Sequence, residues 1–358
     1  MFVWIPRYAY QVPERNAPGV TTPHTVNIRF LEGTTNRPRT GEPIRITRPD
    51  PEEGPEPGDW VVHPAFTFGP MEDGSYIELP GIWVAKYLTG LSGSTTNANS
   101  QLNSSIPANI NRAIVQPGER AWRGITTSNM FTVARGFAPS NNIEGTSLLT
   151  RNRDWGAVAY LAHSRYGRNG TRISINNNGD HRTGFGGNTP TAAPSTGAAT
   201  QAWNTAAGML ASTTGNVYGV YDMSGGAWDR VAAYLENGST ALTGLNNNVL
   251  RNAPERYKDV YRIGTTDTPE NNWLANSNRF GNAVWETSSA GTGGSSSAIP
   301  GNSWFGNRSD FPSGASPMFD RGGREDAGDR GGPFNFGAGA GATSATVGFR
   351  IVILPITY

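Results

Sequence analysis

Cysteine is absent from this 358-residue chain. That excludes disulfides, thiolate nucleophiles and thiolate metal ligands, and it leaves the redox compartment open. Lysine is nearly absent: Lys86 and Lys258 are the only two among 29 basic residues, so arginine, rigid and planar, carries the positive charge. The four histidines, His24, His63, His163 and His181, are too scattered to suggest an imidazole metal cluster. With a net charge of +1, no global field recruits nucleic acid or an anionic membrane. No apolar run approaches the length of a membrane span, so no membrane insertion is expected. The opening Met1–Arg7 (MFVWIPR) has no basic region leading into a long apolar stretch, so no signal peptide is expected either. Work outside a cell would then imply another route, such as assembly into a virion.

Turn-forming residues are what the chain has in quantity: 46 Gly and 25 Pro against only 36% hydrophobic residues. The composition predicts many irregular loops on a modest scaffold. Ten Trp, 12 Tyr and 14 Phe supply large buried surfaces and argue against disorder. Strand-like segments, rich in β-branched and aromatic residues, fall at Phe2–Tyr10, Thr25–Phe30, Trp60–Phe68 and Ile82–Tyr87. Arg48–Asp59 (RPDPEEGPEPGD) is a solvated loop. Two helices are expected. One covers Thr127–Gly136 with Thr127 or Ser128 as cap. The other covers Asp154–Tyr166, where Trp155, Val158, Ala159, Ala162 and Tyr166 make one apolar face, Asp154 caps and Gly167 ends it. The Gly/Asn/Ser/Thr-rich stretches 169–215 and 286–303 read as ordered loops pinned by aromatics. Asn169-Gly170, Asn178-Gly179 and Asn237-Gly238 mark tight turns. Phe349–Leu354 (FRIVIL) reads as a strand buried on both faces.

Three segments in fixed order carry a resemblance. Asp154–Tyr166 (DWGAVAYLAHSRY) is similar to the tryptophan-bearing helix of formylglycine-generating-enzyme-like domains. Gly215–Val231 (GNVYGVYDMSGGAWDRV) is similar to their glycine-rich turn, and Arg321-Gly-Gly323 followed by Val347–Arg350 (VGFR) to their closing motif. The resemblance covers roughly residues 80–358. It implies an α+β, C-type-lectin-like fold that is loop-rich, with few short helices and short twisted antiparallel sheets over residues 81–358. Residues 1–80 would form a strand-rich segment packed on it. The turn is also legible by itself. In Asp222–Trp228 (DMSGGAW), adjacent glycines permit backbone angles closed to other residues. Met223 and Trp228 are expected to plug the core. Asp222 is expected to bond the amides of the turn, a catalytic or calcium-binding carboxylate being the alternative.

A closer resemblance is to the variable proteins of diversity-generating retroelements, many of them carried by prophages. It lies in His63–Phe68 (HPAFTF), Asp154–Gly167, Ala211–Gly219 (ASTTGNVYG) and the block Ser303–Arg350. In such proteins the closing block is rewritten at template adenines, chiefly in asparagine codons, while the scaffold stays fixed. The resemblance implies a ligand-binding face within residues 304–350, formed by Arg324, Glu325, Asp326, Ala327, Asp329, Arg330, Asn335, Ala338, Ala340, Ala342, Thr343, Ala345 and Thr346. Arg, Asp, Ala and Thr are all reachable from an asparagine codon by changes at its first two adenines; Glu325 is not. The charged members should share one exposed face with the small residues of 338–346. Phe334, Phe336, Phe349, Ile351 and Ile353 should point inward, with half-buried alternation around Phe334–Phe336. Gly322, Gly323, Gly328, Gly331 and Gly332 should carry the sharp turns.

The implied partner is a protein or glycan ligand on a cell surface, and the implied location the extracellular surface or a virion. An oxidase of the formylglycine-generating kind needs a thiolate pair for copper, which a chain without cysteine lacks, so no catalytic residue, no cofactor and no metal are expected. A structural calcium on backbone and Asp/Asn oxygens stays open. His163, on the polar side of its helix, is expected to face solvent, and Glu325 with Asp326 to be solvated. The rival reading is a structural tail or virion protein whose Gly337–Ala342 (GAGAGA) segment simply packs. Oligomeric state has no signature in the sequence.

Overall fold

The two ends of the chain meet in one sheet. In the computed structural model, which describes residues 1–14, 25–93, 110–189, 191–195, 200–289 and 301–357, the strand Phe2–Pro6 pairs antiparallel with Gly81–Ala85. That strand pairs in turn with Ile351–Leu354, and the last with Thr146–Leu149. Alternation sends Ile82 and Val84 into the core and leaves Trp83 on the outer face against Trp4, their ring centroids 5.0 Å apart. Ile351–Leu354 is buried throughout, as the apolar run predicts, but the strand expected over Phe349–Leu354 is divided: Phe349 ends Val347–Phe349 in another sheet, and Arg350 belongs to neither strand. The helix Thr127–Ser140 packs behind it. The helix is longer than expected, and Thr126 caps it by accepting from the Asn129 amide at 3.3 Å.

A second, curled sheet centres on Trp228–Glu236. This strand runs parallel to Asp259–Arg262 and to Val347–Phe349, and antiparallel to Met318–Gly322. Met318–Gly322 continues the sheet to Gly332–Gly339 and then to the short strands Arg308–Ser309 and Gly301–Asn302. Arg350 stands where the chain leaves this sheet for the first. Fully buried, it holds Asp229 at 2.9 Å and donates to the carbonyls of Ala85 (2.7 Å) and Tyr221 (2.9 Å). Burial pushes the Asp229 carboxyl up to about 6, against the pull of Arg350. The architecture is mixed α/β with few helices and curled sheets.

The tryptophan helix spans Asn152–Ala162, beginning two residues earlier than expected and ending four residues sooner. Asp154 is not its cap but its third residue: it accepts from the Arg151 amide at 2.9 Å and pairs with the Arg151 guanidinium at 2.7 Å. The helix stops at Ala162 because the Ser164 hydroxyl takes the Leu161 carbonyl at 2.8 Å, in competition with another turn. Tyr166 is consequently outside the helix and exposed. His163 does not face solvent. It is 0% exposed between Phe305 and Phe334, with ring centroids at 4.7 and 4.8 Å, and burial lowers its pKa to about 3.

The N-terminal region is tied to this core by tyrosines. Tyr8–Gln11 pairs with Ile28–Phe30 and Trp60–Val62. The Tyr8 hydroxyl donates to Ala157 O at 2.7 Å, and the Tyr10 and Tyr160 hydroxyls both donate to the buried Glu286 at 2.6 Å. Described parts of the stretch 169–215 are mostly irregular, as expected, with Asn169 and Gly170 at positive φ, broken by the short strand pair Phe185–Gly186 and Gln201–Ala202; Gly238 takes positive φ at the later turn. Of the loop expected at 286–303, residues 290–300 lie outside the described residues, as do 190 and 196–199 of the earlier one.

Candidate functional site

Residues 323–346 reach the surface twice. A loop, 323–331, joins Met318–Gly322 to Gly332–Gly339, and a second, 340–346, leads from Gly339 into Val347–Phe349. Both are held chiefly by groups that grip their main chain. Asn335 Nδ2 donates to Arg330 O (2.6 Å), Asn307 Nδ2 to Gly331 O (2.8 Å), and Arg172 to the carbonyls of Gly331 (3.2 Å) and Asp329. In the second loop Ala340 O accepts from Asn247 Nδ2 (2.7 Å) and Gly341 O from the Thr127 amide (3.0 Å). Ser344 O accepts from the Gly124 amide (2.9 Å), and Ala345 O from Arg123. Two glycines make the grip possible. Gly332 and Gly341 adopt φ of 150° and 79°, and a Cβ on either would collide with the gripping amide of Asn307 or Asn247.

The two loops adjoin along the turn that opens the central strand. The Glu325 amide donates to Gly226 O at 3.0 Å, and the Trp228 amide to Thr346 O at 2.9 Å. Of the expected contact residues, Asp326, Asp329, Arg330, Ala340, Ala342 and Thr343 are exposed, and Arg324, Ala338, Ala345 and Thr346 half-exposed. Arg324 and Asp326 form a two-pronged pair at 2.5 Å on the loop's outer surface.

Three expected contacts need correction. Asn335 is buried, because its amide is the prop beneath Arg330 O; the strand around Phe334–Phe336 is covered on both faces rather than alternating. Ala327 turns its methyl under the loop toward Gly323 and Gly331. Glu325 is not solvated: its side chain is 14% exposed, with Oε2 3.2 Å from His181 Nδ1. Burial raises the Glu325 pKa. It lowers that of His181 to about 4, with the Arg123 charge adding to the effect, so His181 is neutral at pH 7 with its Nδ1 at 2.9 Å from Gly226 O. Phe334, Phe336, Phe349, Ile351 and Ile353 are buried as expected. Gly322, Gly323, Gly328 and Gly332 take positive φ, but Gly331, at −77°, does not.

Trp228 is not the core plug that the motif suggested. Met223 is buried, whereas Trp228 is half-buried and lines a cleft of about 360 Å³ beside the second loop. Arg230, Asp320 and Arg308 complete the cleft's polar lining, and 337–344 with Thr346 form its wall. Sequence reading missed all three, since Asp-Arg pairs inside strands look like ordinary cross-strand ion pairs. Asp222, adjacent in the turn, serves structure. Its Oδ1 accepts from Gly184 N and Asn176 Nδ2 at 2.9 Å, and its Oδ2 from Leu88 N at 3.2 Å. These are amides of distant segments, not of its own turn. A larger cleft of about 580 Å³ lies elsewhere, near Tyr76, Arg153 and Arg279, where Arg153 is already satisfied by Asp259. Among the described residues no group of three or more His, Asp or Glu is arranged to hold a metal ion.

No helix among the described residues is long and apolar enough to cross a membrane. No protein-family model matches the chain, and no curated protein matches it in sequence.

Proposed function

We propose that this chain is a ligand-displaying protein on a C-type-lectin-like scaffold, of the diversity-generating-retroelement variable kind, and not an enzyme. Its binding face is formed by the loops 323–331 and 340–346, and its partner is a macromolecule, protein or glycan, on a cell surface. The protein acts at the extracellular surface or on a virion. One observation carries the reading: donors outside the exposed positions fix the loops through main-chain carbonyls at Asp329, Arg330, Gly331, Ala340, Gly341, Ser344 and Ala345. A carbonyl is present whatever the side chain, so the loop path survives exchange of the residues that face outward. Ordering is then complete before the ligand arrives, which removes a cost of association.

The test is a displayed library randomised at Arg324, Asp326, Asp329, Arg330, Ala340, Ala342 and Thr343. Most members should fold, with stability within about 0.5 kcal/mol per changed position, and panning against diverse proteins and glycans should yield new binders. A library that mostly unfolds refutes the reading. A virion protein whose closing segment merely packs would give folded members and no binders.

A further inference from the structure

Within the cleft, Arg230 and Asp320 are cross-strand partners with Nε and Oδ1 2.8 Å apart. Their side chains are 3% and 9% exposed, yet the contact is not aligned for a hydrogen bond. Arg230 Nε and Nη1 and Asp320 Oδ1 have no hydrogen-bond partner among the described residues. A buried ion pair short of hydrogen bonds is destabilising unless something else supplies them. The pair lies under Gly339, where a Cβ would come within 2.8 Å of both Arg230 Nη2 and Asp320 Oδ2. Gly337 likewise leaves room at the edge of the Trp228 indole, 3.0 Å from where its Cβ would stand. The GAGAGA segment is therefore not an empty surface: a nearly buried polar pair lies directly beneath it, with Arg230 Nη2 and Asp320 Oδ2 nearest the place a Gly339 side chain would occupy.

We propose that this cleft binds one neutral pyranose ring of a glycan. Two hydroxyls on adjacent ring carbons meet Arg230 and Asp320, and the ring's C–H face lies on Trp228. The inference rests on the display reading and names its ligand. Three features select this chemistry. A donor beside an acceptor matches vicinal hydroxyls, each of which both gives and takes a hydrogen bond. Arg230 is balanced by Asp320, and Arg308 is paired with Asp310, so the floor has no net charge to attract a sialic acid or a phosphate. The wall consists of glycines, alanine methyls and the hydroxyls of Thr343, Ser344 and Thr346. It offers no deep apolar pocket of the kind that anchors a peptide side chain, while the negative face of an indole suits the positive C–H bonds of a sugar.

The experiment is saturation-transfer NMR on the full chain, with the methyl glycosides of glucose, mannose and galactose as probes and N-acetylalanine amide as the peptide analogue. At least one glycoside should receive saturation, with a dissociation constant of about 1–10 mM, ordinary for a single small ring. Gly339→Ala pushes a methyl onto the Arg230–Asp320 pair and should weaken binding at least about tenfold. Thr343→Trp, at an exposed position on the cleft wall, should block it equally if Gly339→Ala proves unstable. No transfer to any glycoside, transfer to the amide alone, or full binding in both variants overturns the proposal. Because the library result concerns folding and gain of any binder, it stands or falls separately from this one.

Discussion

Replacing His163 with phenylalanine should remove one proton-linked source of acid instability. The imidazole lies between Phe305 and Phe334, and neither ring nitrogen has a hydrogen-bond partner among the described residues. Burial first, and the Arg168 charge second, hold its pKa near 3 against 6.5 in the unfolded chain. A base whose folded pKa is depressed is protonated first in the unfolded state, so its effect is nil at neutral pH. Stability is lost as pH falls below 6.5, down to about 3. The loss runs at about 1.4 kcal/mol per pH unit, or about 3 kcal/mol at pH 4.5. Asp229 acts the other way, since its raised folded pKa, about 6, lets the native state take the proton first. Asp229, His63 and His181 remain in both proteins, so they cancel in the comparison. Urea denaturation at pH 7.5 should place the two proteins within about 3 kcal/mol, because the phenyl ring is larger than the imidazole it replaces in a packed site. At pH 4.5 the variant should gain about 3 kcal/mol relative to that difference. Parallel pH profiles would refute the buried, neutral assignment.

Asn335→Ala should cost about 1–3 kcal/mol in thermal or urea unfolding by leaving the Arg330 carbonyl unsatisfied. Asp329→Ala, exposed a few residues away, should change stability by no more than about 0.5 kcal/mol; equal effects would contradict the split between prop and display. Trp155, fully buried with its indole N–H on Pro333 O at 2.6 Å, should cost about 3–5 kcal/mol on replacement by alanine, and half-buried Trp228 clearly less. Arg172→Ala removes donors to Phe305, Asp329 and Gly331 carbonyls. It should speed amide exchange across 324–331 while the core amides of Ile351–Leu354 keep their protection. Uniform acceleration would mean that Arg172 supports the whole fold.

The scaffold was legible where one physical signal dominated. The apolar run IVIL read as a strand buried on both faces, although Phe349 belongs to the other sheet and Arg350 to the crossover, and the spacing of Trp155, Val158, Ala159 and Ala162 read as one helix face. Boundaries were lost to side-chain competitors that periodicity does not record. The Ser164 hydroxyl ended the helix before Gly167, and Arg151 started it before Asp154. His163 was misplaced for a related reason. Counted on an ideal helix it falls on the polar side, but it is the first residue past the last turn, where the chain swings it toward Phe334.

The exposed and buried members of the closing block were separable only by knowing which groups point back at it. Charge placed Asp326, Asp329 and Arg330 outside correctly, but the same signal failed at Glu325, which lies against His181. Asn335 could not be placed, since an amide serves equally as a ligand contact or as a prop for a carbonyl. The gripping donors, Arg123, Thr127, Arg172, Asn247 and Asn307, are spread over nearly two hundred residues and share no spacing. Each looks like an ordinary polar residue until its carbonyl partner is known. The same reasoning explains why Arg230 and Asp320 went unnoticed. Their importance comes from what Gly337 and Gly339 leave out, and a missing side chain acquires meaning only from what lies beneath it. On the proposed display reading, recognition divides between two kinds of position. Outward side chains can change because the loop path does not depend on them, and the cleft floor cannot, because it is made by strands that the fold requires.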